Sequence, residues 1–156
     1  MEDKIKTIQA LVLELDQQKY VLDILSITRV VPLVEITSIP GTQDPIEGVI
    51  DFQGSVIPIF SLRKLLGLKA KEESLSDKII IMQCHSTLLG LLSDDIQGVK
   101  QFPVDAISKE GLPQLVEGAI RRENEIIFLL TGEKLVEEKL LESIGNSLKV
   151  VENVSK

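Results

Sequence analysis

The chain repeats itself at a spacing of about 70 residues. Ile46-Glu-Gly-Val-Ile-Asp-Phe-Gln-Gly-Ser-Val-Ile-Pro58 lies over Val116-Glu-Gly-Ala-Ile-Arg-Arg-Glu-Asn-Glu-Ile-Ile-Phe128. Glu47 and Gly48 meet Glu117 and Gly118, Ile50 meets Ile120, Ile57 meets Ile127, and Lys64-Leu65 meets Lys134-Leu135. Gly54 meets Asn124 where each copy turns. Upstream, the apolar run from Ile8 to Leu15 is echoed from Ile79 to Gln83, and Ile27 and Val30 are echoed by Ile96 and Val99. Two copies of one unit is the economical reading, with halves at about 8–68 and 78–132 inside a single domain of 156 residues.

Within each copy, short apolar runs end at Gly, Pro, Asp or Asn, the pattern of small barrels or sandwiches and not of alternating βαβ units. Strands are expected near 7–15, 19–25, 27–33, 48–53 and 55–60, then 78–83, 87–93, 96–103, 118–122 and 125–130. Gln17-Gln18 and Gly54-Ser55 read as the turns of antiparallel hairpins. The charged stretch Lys69 to Lys78 crosses the surface between the copies. Leu135, Val136, Leu140, Leu141 and Ile144 fall at helical intervals. They predict an amphipathic helix over 133–145 that stops at Gly145-Asn146, closes one of the barrels with its apolar face, and precedes a frayed tail over 147–156.

Composition narrows the function. Hydrophobic residues make up 44% and aromatic residues only 3%, so the core is built from Ile, Leu and Val, which suit strands. A net charge of −7 opposes the phosphate neutralisation on which nucleic-acid binding depends. The opening Met-Glu-Asp-Lys-Ile-Lys lacks the basic-then-apolar order of a signal peptide. No apolar run approaches the roughly 18 residues of a membrane span, so a cytoplasmic protein without direct membrane insertion is expected. The single cysteine, Cys84, fits a reducing compartment and reads as a buried strand residue.

Candidates for chemistry are few. His85, the only histidine, adjoins Cys84, yet neighbours on a strand point to opposite faces, so the two do not form a working thiol-imidazole pair. No second Cys or His completes a metal site. Asp94-Asp95 suits a turn better than paired acid-base carboxylates, and Gly41-Thr-Gln-Asp-Pro45 lacks the pattern of a phosphate-cradling loop. The expectation is a non-enzyme with no catalytic residues, metal or cofactor. A small ligand held in an apolar cleft between barrels is the rival class.

The stretch Gly48-Val-Ile-Asp-Phe-Gln-Gly-Ser-Val-Ile-Pro-Ile-Phe-Ser-Leu-Arg-Lys-Leu-Leu-Gly-Leu68 closely resembles the signature of CheW-like domains. Tyr20-Val-Leu-Asp-Ile24 before Ile27-Thr-Arg-Val, Ile39-Pro40 before the signature, and Asp95-Ile-Gln-Gly-Val99 agree in order, so the resemblance spans about 8–140. It implies a mainly β fold of two tandem five-stranded SH3-like barrels sharing an apolar core. A short helix follows the signature hairpin and an amphipathic helix lies at the C-terminal end. It implies no catalysis but an adaptor that couples chemoreceptors to a CheA-type histidine kinase, touching the kinase regulatory domain and the cytoplasmic tip of a methyl-accepting receptor. A divergent regulatory scaffold outside a receptor array is the alternative.

Partner contacts are expected at Ile27, Arg29, Val30, Gly48, Asp51, Phe52 and Gln53. Ile27, Val30 and Phe52 read equally as core, Gly48 as a residue with an unusual backbone angle, and Arg29, Asp51 and Gln53 as surface. An adaptor predicts an exposed apolar strip near Ile27 and Phe52; a carrier predicts an enclosed pocket. The chain departs from the family at Arg29, where Glu is usual, Asp51 (Asn), Gln53 (Arg) and Ser61 (Asp). The first and third of these alter the electrostatic match to the usual partners.

Overall fold

The structure is a computed structural model that describes residues 5–145. Eleven strands appear among them: β1 Thr7–Leu15, β2 Gln18–Asp23, β3 Ile27–Pro32, β4 Ile46–Phe52, β5 Ser55–Ser61, β6 Lys78–Cys84, β7 Thr87–Ser93, β8 Ile96–Pro103, β9 Ile107–Ser108, β10 Gly118–Arg122 and β11 Glu125–Leu130. Single-turn helices α1 (Leu62–Leu65) and α2 (Gly132–Leu135) follow β5 and β11, and residues 138–145 form a further helix. The tail over 147–156 and the stop at Asn146 lie outside the described residues.

The strands form two sheets. Sheet A has the order β8-β1-β2-β11-β10-β9, and sheet B has the order β3-β6-β7-β5-β4. A bridge between Thr37 and Val49 extends sheet B beyond β4, at the place where β9 extends sheet A beyond β10. The two sheets thus superpose strand for strand under the repeat. This is the expected mainly β architecture of two small barrel-like units. Each unit, however, draws on both sequence halves: β1-β2 completes the sheet built by β8 to β11, and β6-β7 completes the one built by β3 to β5. The seam is parallel in both, pairing β11 with β2 and β5 with β7, whereas the hairpins are antiparallel.

The reason for the exchange is visible in β1 and β6. Side chains alternate across a strand, and both of these strands are apolar on both faces. Ala10 and Val12 face a core belonging to sheet A, while Leu11, Leu13 and Leu15 face a central core. Ile79 and Ile81 face a core belonging to sheet B, while Ile80, Met82 and Cys84 face the same central core. Strands that must bury two faces are stable between two layers and not at a wet surface. The central core is therefore shared by both sheets, with Phe60, Leu62, Leu89 and Leu91 among its fully buried members.

Three local expectations shift. The β4-β5 turn is Gln53-Gly54 and not Gly54-Ser55, because Ser55 already pairs with Phe52. The β1-β2 turn is Asp16-Gln17, with φ of 50° and 69°, one residue earlier than the sequence suggested. Turns with two positive φ match the strand twist, and the pairing of Leu15 with Gln18 leaves only those two residues in the loop. The helix over 133–145 is not continuous. Val136 is extended at φ −117° and ψ 104°, so α2 ends there and helix resumes at 138. Buried Leu135, Val136, Leu141 and Ile144 all pack on the shared core and into neither barrel's own core. The extended Val136 is what lets both segments face that core.

Candidate functional site

Sheet B is open: β3 lies at one end and β4, bridged on its outer side at Thr37, at the other, and the two do not pair with each other. A side-chain stack bridges them. The Arg29 guanidinium on β3 lies 5.9 Å from the centre of the Phe52 ring on β4, within the range of a cation–π attraction. Asp51 and Gln53 are exposed beside the stack, and Gln53 occupies the β4-β5 turn at φ 53°. The Asp51 carboxylate accepts the Gly54 backbone N–H at 3.0 Å, which fixes that turn from within. The fold thus brings Arg29, Asp51, Phe52 and Gln53 together at one rim.

The other expected contact residues are placed differently. Ile27 and Val30 are half-buried against the shared core, and Phe52 is half-buried against the core of sheet B. The apolar strip expected near Ile27 and Phe52 is therefore only partly exposed, and close to it in sequence Leu25 is 91% accessible in the single-turn 3-10 helix before β3. Gly48 is buried at φ 146°, and a Cβ there would lie 2.1 Å from the Thr37 carbonyl oxygen. Its role is to admit the Thr37 backbone that bridges to Val49. Ser61 caps α1, its hydroxyl accepting the Lys64 N–H at 3.2 Å. Ser and Asp serve equally as N-caps, so Ser61 in place of Asp keeps a structural function.

Sequence reasoning missed three constellations. Glu47 and Lys64 are 3.0 Å apart, and so are their repeat equivalents Glu117 and Lys134. Each pair ties the start of a strand to the helix after the hairpin. Lys134 holds the Glu117 carboxyl below its ordinary value, and Asp44 followed by Glu47 holds the Lys64 ammonium above its own. That both members of the pair recurred at the same spacing was the signal that could have found them.

The second constellation centres on Arg63, whose side chain is 11% exposed. Its Nη2 donates at 2.7 Å to both Asp94 and Asp16, Nε donates to Asp94 at 2.9 Å, and Nη1 donates to the Lys69 carbonyl at 3.0 Å. The hydrogen bonds that Arg63 donates to Asp94 and, next in size, to Asp16 raise its pKa above its usual value. Asp94 does lie in the link between strands, as expected, yet it also anchors this arginine. Arg63 is on α1 behind sheet B, whereas Asp16 is in the β1-β2 turn of sheet A, so the contact crosses between sheets.

The third is a second stack: Arg122 on β10, the strand next to the β9 end of sheet A, lies 5.5 Å from the Phe102 ring on β8, the strand at the other end.

Cys84 is fully buried, and burial, the larger effect, together with the nearby Glu133 charge pushes its thiol up to about 12. His85 is not on a strand beside it. It sits in the β6-β7 turn at φ 50°, with Nε2 at 3.2 and 3.1 Å from the Glu133 and Val136 carbonyl oxygens. It therefore holds the backbone where α2 breaks. Among the described residues no cluster of three or more His, Cys, Asp or Glu is placed to hold a metal ion, and no helix is long and apolar enough to cross a membrane. The space between the sheets is occupied by the shared core.

Comparison with known proteins agrees with this arrangement. The profile described as CheW-like domain matches residues 9–140. The chemotaxis protein CheW of Thermotoga maritima is 26% identical over 142 residues, covering 88% of this chain and 93% of that protein. CheW of Helicobacter pylori is 22% identical, covering 88% and 86%. The crystal structure of the scaffolding protein TtCheW from Thermoanaerobacter tengcongensis superposes with a TM-score of 0.79 at 28% identity, over 86% of this chain and 96% of that one. By its signature hairpin, its exchanged repeat and its shared core, the chain belongs to the CheW-like domain family of non-catalytic chemotaxis scaffolds.

Proposed function

We propose that this protein works in the cytoplasm as an adaptor, docking on the regulatory domain of a CheA-type histidine kinase and on the cytoplasmic tip of a methyl-accepting chemoreceptor. The observation that carries the reading is the rim where Arg29 stacks on Phe52 beside exposed Asp51 and Gln53. A rim of this kind offers a partner one delocalised cation, one carboxylate and one amide at fixed spacing, on an open sheet. Ile27 and Val30 support it from the shared core, and Gly48 supports it by seating Thr37. The functional contribution of such a scaffold is positional: it keeps two partners in register and adds no chemistry.

Calorimetry with the regulatory domain of a histidine kinase from the same cell tests this. Micromolar binding is expected, and Phe52→Ala weakens it about tenfold by removing the platform under Arg29, a loss of the size that an interface aromatic gives. Arg29→Glu combined with Gln53→Arg changes partner preference, since reversing charge at a rim alters electrostatic complementarity. A folded protein that binds neither kinase domain nor receptor tip defeats the proposal.

A further inference from the structure

The repeat allows each barrel mouth to be read against the other. Strand register makes the correspondence explicit. Lys19 pairs with Glu14 where Leu88 pairs with Gln83. Lys100 pairs with Ala10 where Val31 pairs with Ile79. Arg122 pairs with Glu125 where Phe52 pairs with Ser55. In sheet B the three positions, Leu88, Val31 and Phe52, are apolar and pack together on one core. In sheet A all three are cationic and line one concavity of about 220 Å³, floored by Val12, Phe102 and Ile127.

Three cations on three different strands converge there, on a chain of net charge −7. Two acids stand on the same rim. Glu125 takes up Lys19 at 3.1 Å, and Glu123 forms no ion pair among the described residues. Lys100 and Arg122 likewise have no carboxylate partner among the described residues, and Arg122 is held in place by its stack on Phe102. A mouth that only needed closing is closed by apolar side chains, as sheet B shows. Placing unpaired cations there raises mutual repulsion, and a bound carboxylate relieves it, as Glu125 already does for Lys19.

We infer that the mouth of sheet A is an anion-accepting recess for an acidic peptide segment of a protein partner, whose carboxylates reach Lys100 and Arg122. The site is separate from the Arg29–Phe52 rim and of different chemistry. It does not depend on which kinase or receptor the rim engages.

The test is a nuclear magnetic resonance titration of the full chain with an amino-acetylated, carboxy-amidated tetraglutamate peptide, repeated with inorganic phosphate at matched ionic strength. Amide shifts confined to the neighbourhood of Lys19, Lys100 and Arg122 are expected. Affinity falls about tenfold in Lys100→Glu, as for reversal of a contacting charge, and stays unchanged in Lys139→Glu on the C-terminal helix. The double variant Lys100→Val with Arg122→Phe copies the residues of sheet B and abolishes the shifts while its thermal melt shows a folded protein. Shifts spread evenly over basic residues, or equal affinity in Lys100→Glu, overturn the recess. Phosphate binding at these residues as tightly as the peptide overturns the peptide as occupant.

Discussion

The two sheets share topology strand for strand and differ in the chemistry that joins each to the other. The turn of β1-β2 in sheet A reaches α1 behind sheet B through an ion pair, Asp16 to Arg63 at 2.7 Å. The turn of β6-β7 in sheet B reaches α2, which follows β11 of sheet A, through a histidine, His85 to the Glu133 and Val136 carbonyls. Asp16 and His85 occupy the same turn position, with φ of 50° in each. A duplicated fold needs a contact at both crossings but does not prescribe its chemistry. One latch responds to salt and acid; the other is a hydrogen bond to backbone.

The largest effect separates the two notch glycines. Gly48 and Gly118 are repeat equivalents, but a Cβ at Gly48 meets the Thr37 backbone oxygen at 2.1 Å and the residue has φ 146°, whereas at Gly118 the nearest atom is the Ile107 Cγ2 at 2.5 Å. A side-chain methyl moves more easily than a backbone carbonyl. Gly48→Ala is expected to cost about 3 kcal/mol and Gly118→Ala about 1 kcal/mol in urea denaturation. Equal losses would show that the two notches are mechanically the same.

Next comes the pair of latches. Arg63→Met leaves Asp94 without its donors and destabilises by about 2 kcal/mol, while His85→Ala costs about 1 kcal/mol. Salt sharpens the contrast: raising ionic strength narrows the gap between wild type and Arg63→Met and leaves that of His85→Ala unchanged. Acid acts in the same direction. Arg63 holds the Asp16 carboxyl below its ordinary value of 3.8. Its contribution is therefore complete above that ordinary value and is lost as pH falls through the lowered one. Thermal melts from pH 7 down to pH 2 are expected to converge for wild type and Arg63→Met; parallel curves would refute an ionic latch.

The smallest effect is a shared one. Lys64 and Lys134 make equivalent ion pairs with Glu47 and Glu117 at the same 3.0 Å. Replacing either lysine by Met should cost about 0.5 kcal/mol, since both pairs are substantially solvated. A loss several times larger at Lys64 would show that its added contact with Asp44 matters more than the duplicated pair.

Legibility follows the range of each interaction. The strands were readable because alternation and turn residues are local, whereas the burial of β1 and β6 on both faces emerged only from the packed sheets. The break at Val136 was not readable. Its spacing fits a helix, and only the packing of Leu135, Val136, Leu141 and Ile144 on a common core reveals two segments. At the rim, Asp51, Phe52 and Gln53 stand in the signature stretch and Arg29 in the flanking piece Ile27-Thr-Arg-Val, so these residues could be named from sequence, while Arg63 was passed over because Asp16 and Asp94 lie 47 and 31 residues away.

The sequence by itself determined that there are two copies of one β unit, the order of strands and hairpins within each, and an Ile-, Leu- and Val-built interior, because each of these is written in periods of a few residues. Only the tertiary structure decided that the first hairpin of each copy completes the other copy's sheet, that Arg29 meets Phe52 and Arg122 meets Phe102, and that three cations share one mouth. Those outcomes depend on which distant segments bury each other's apolar faces, and a repeat allows either copy to supply the partner.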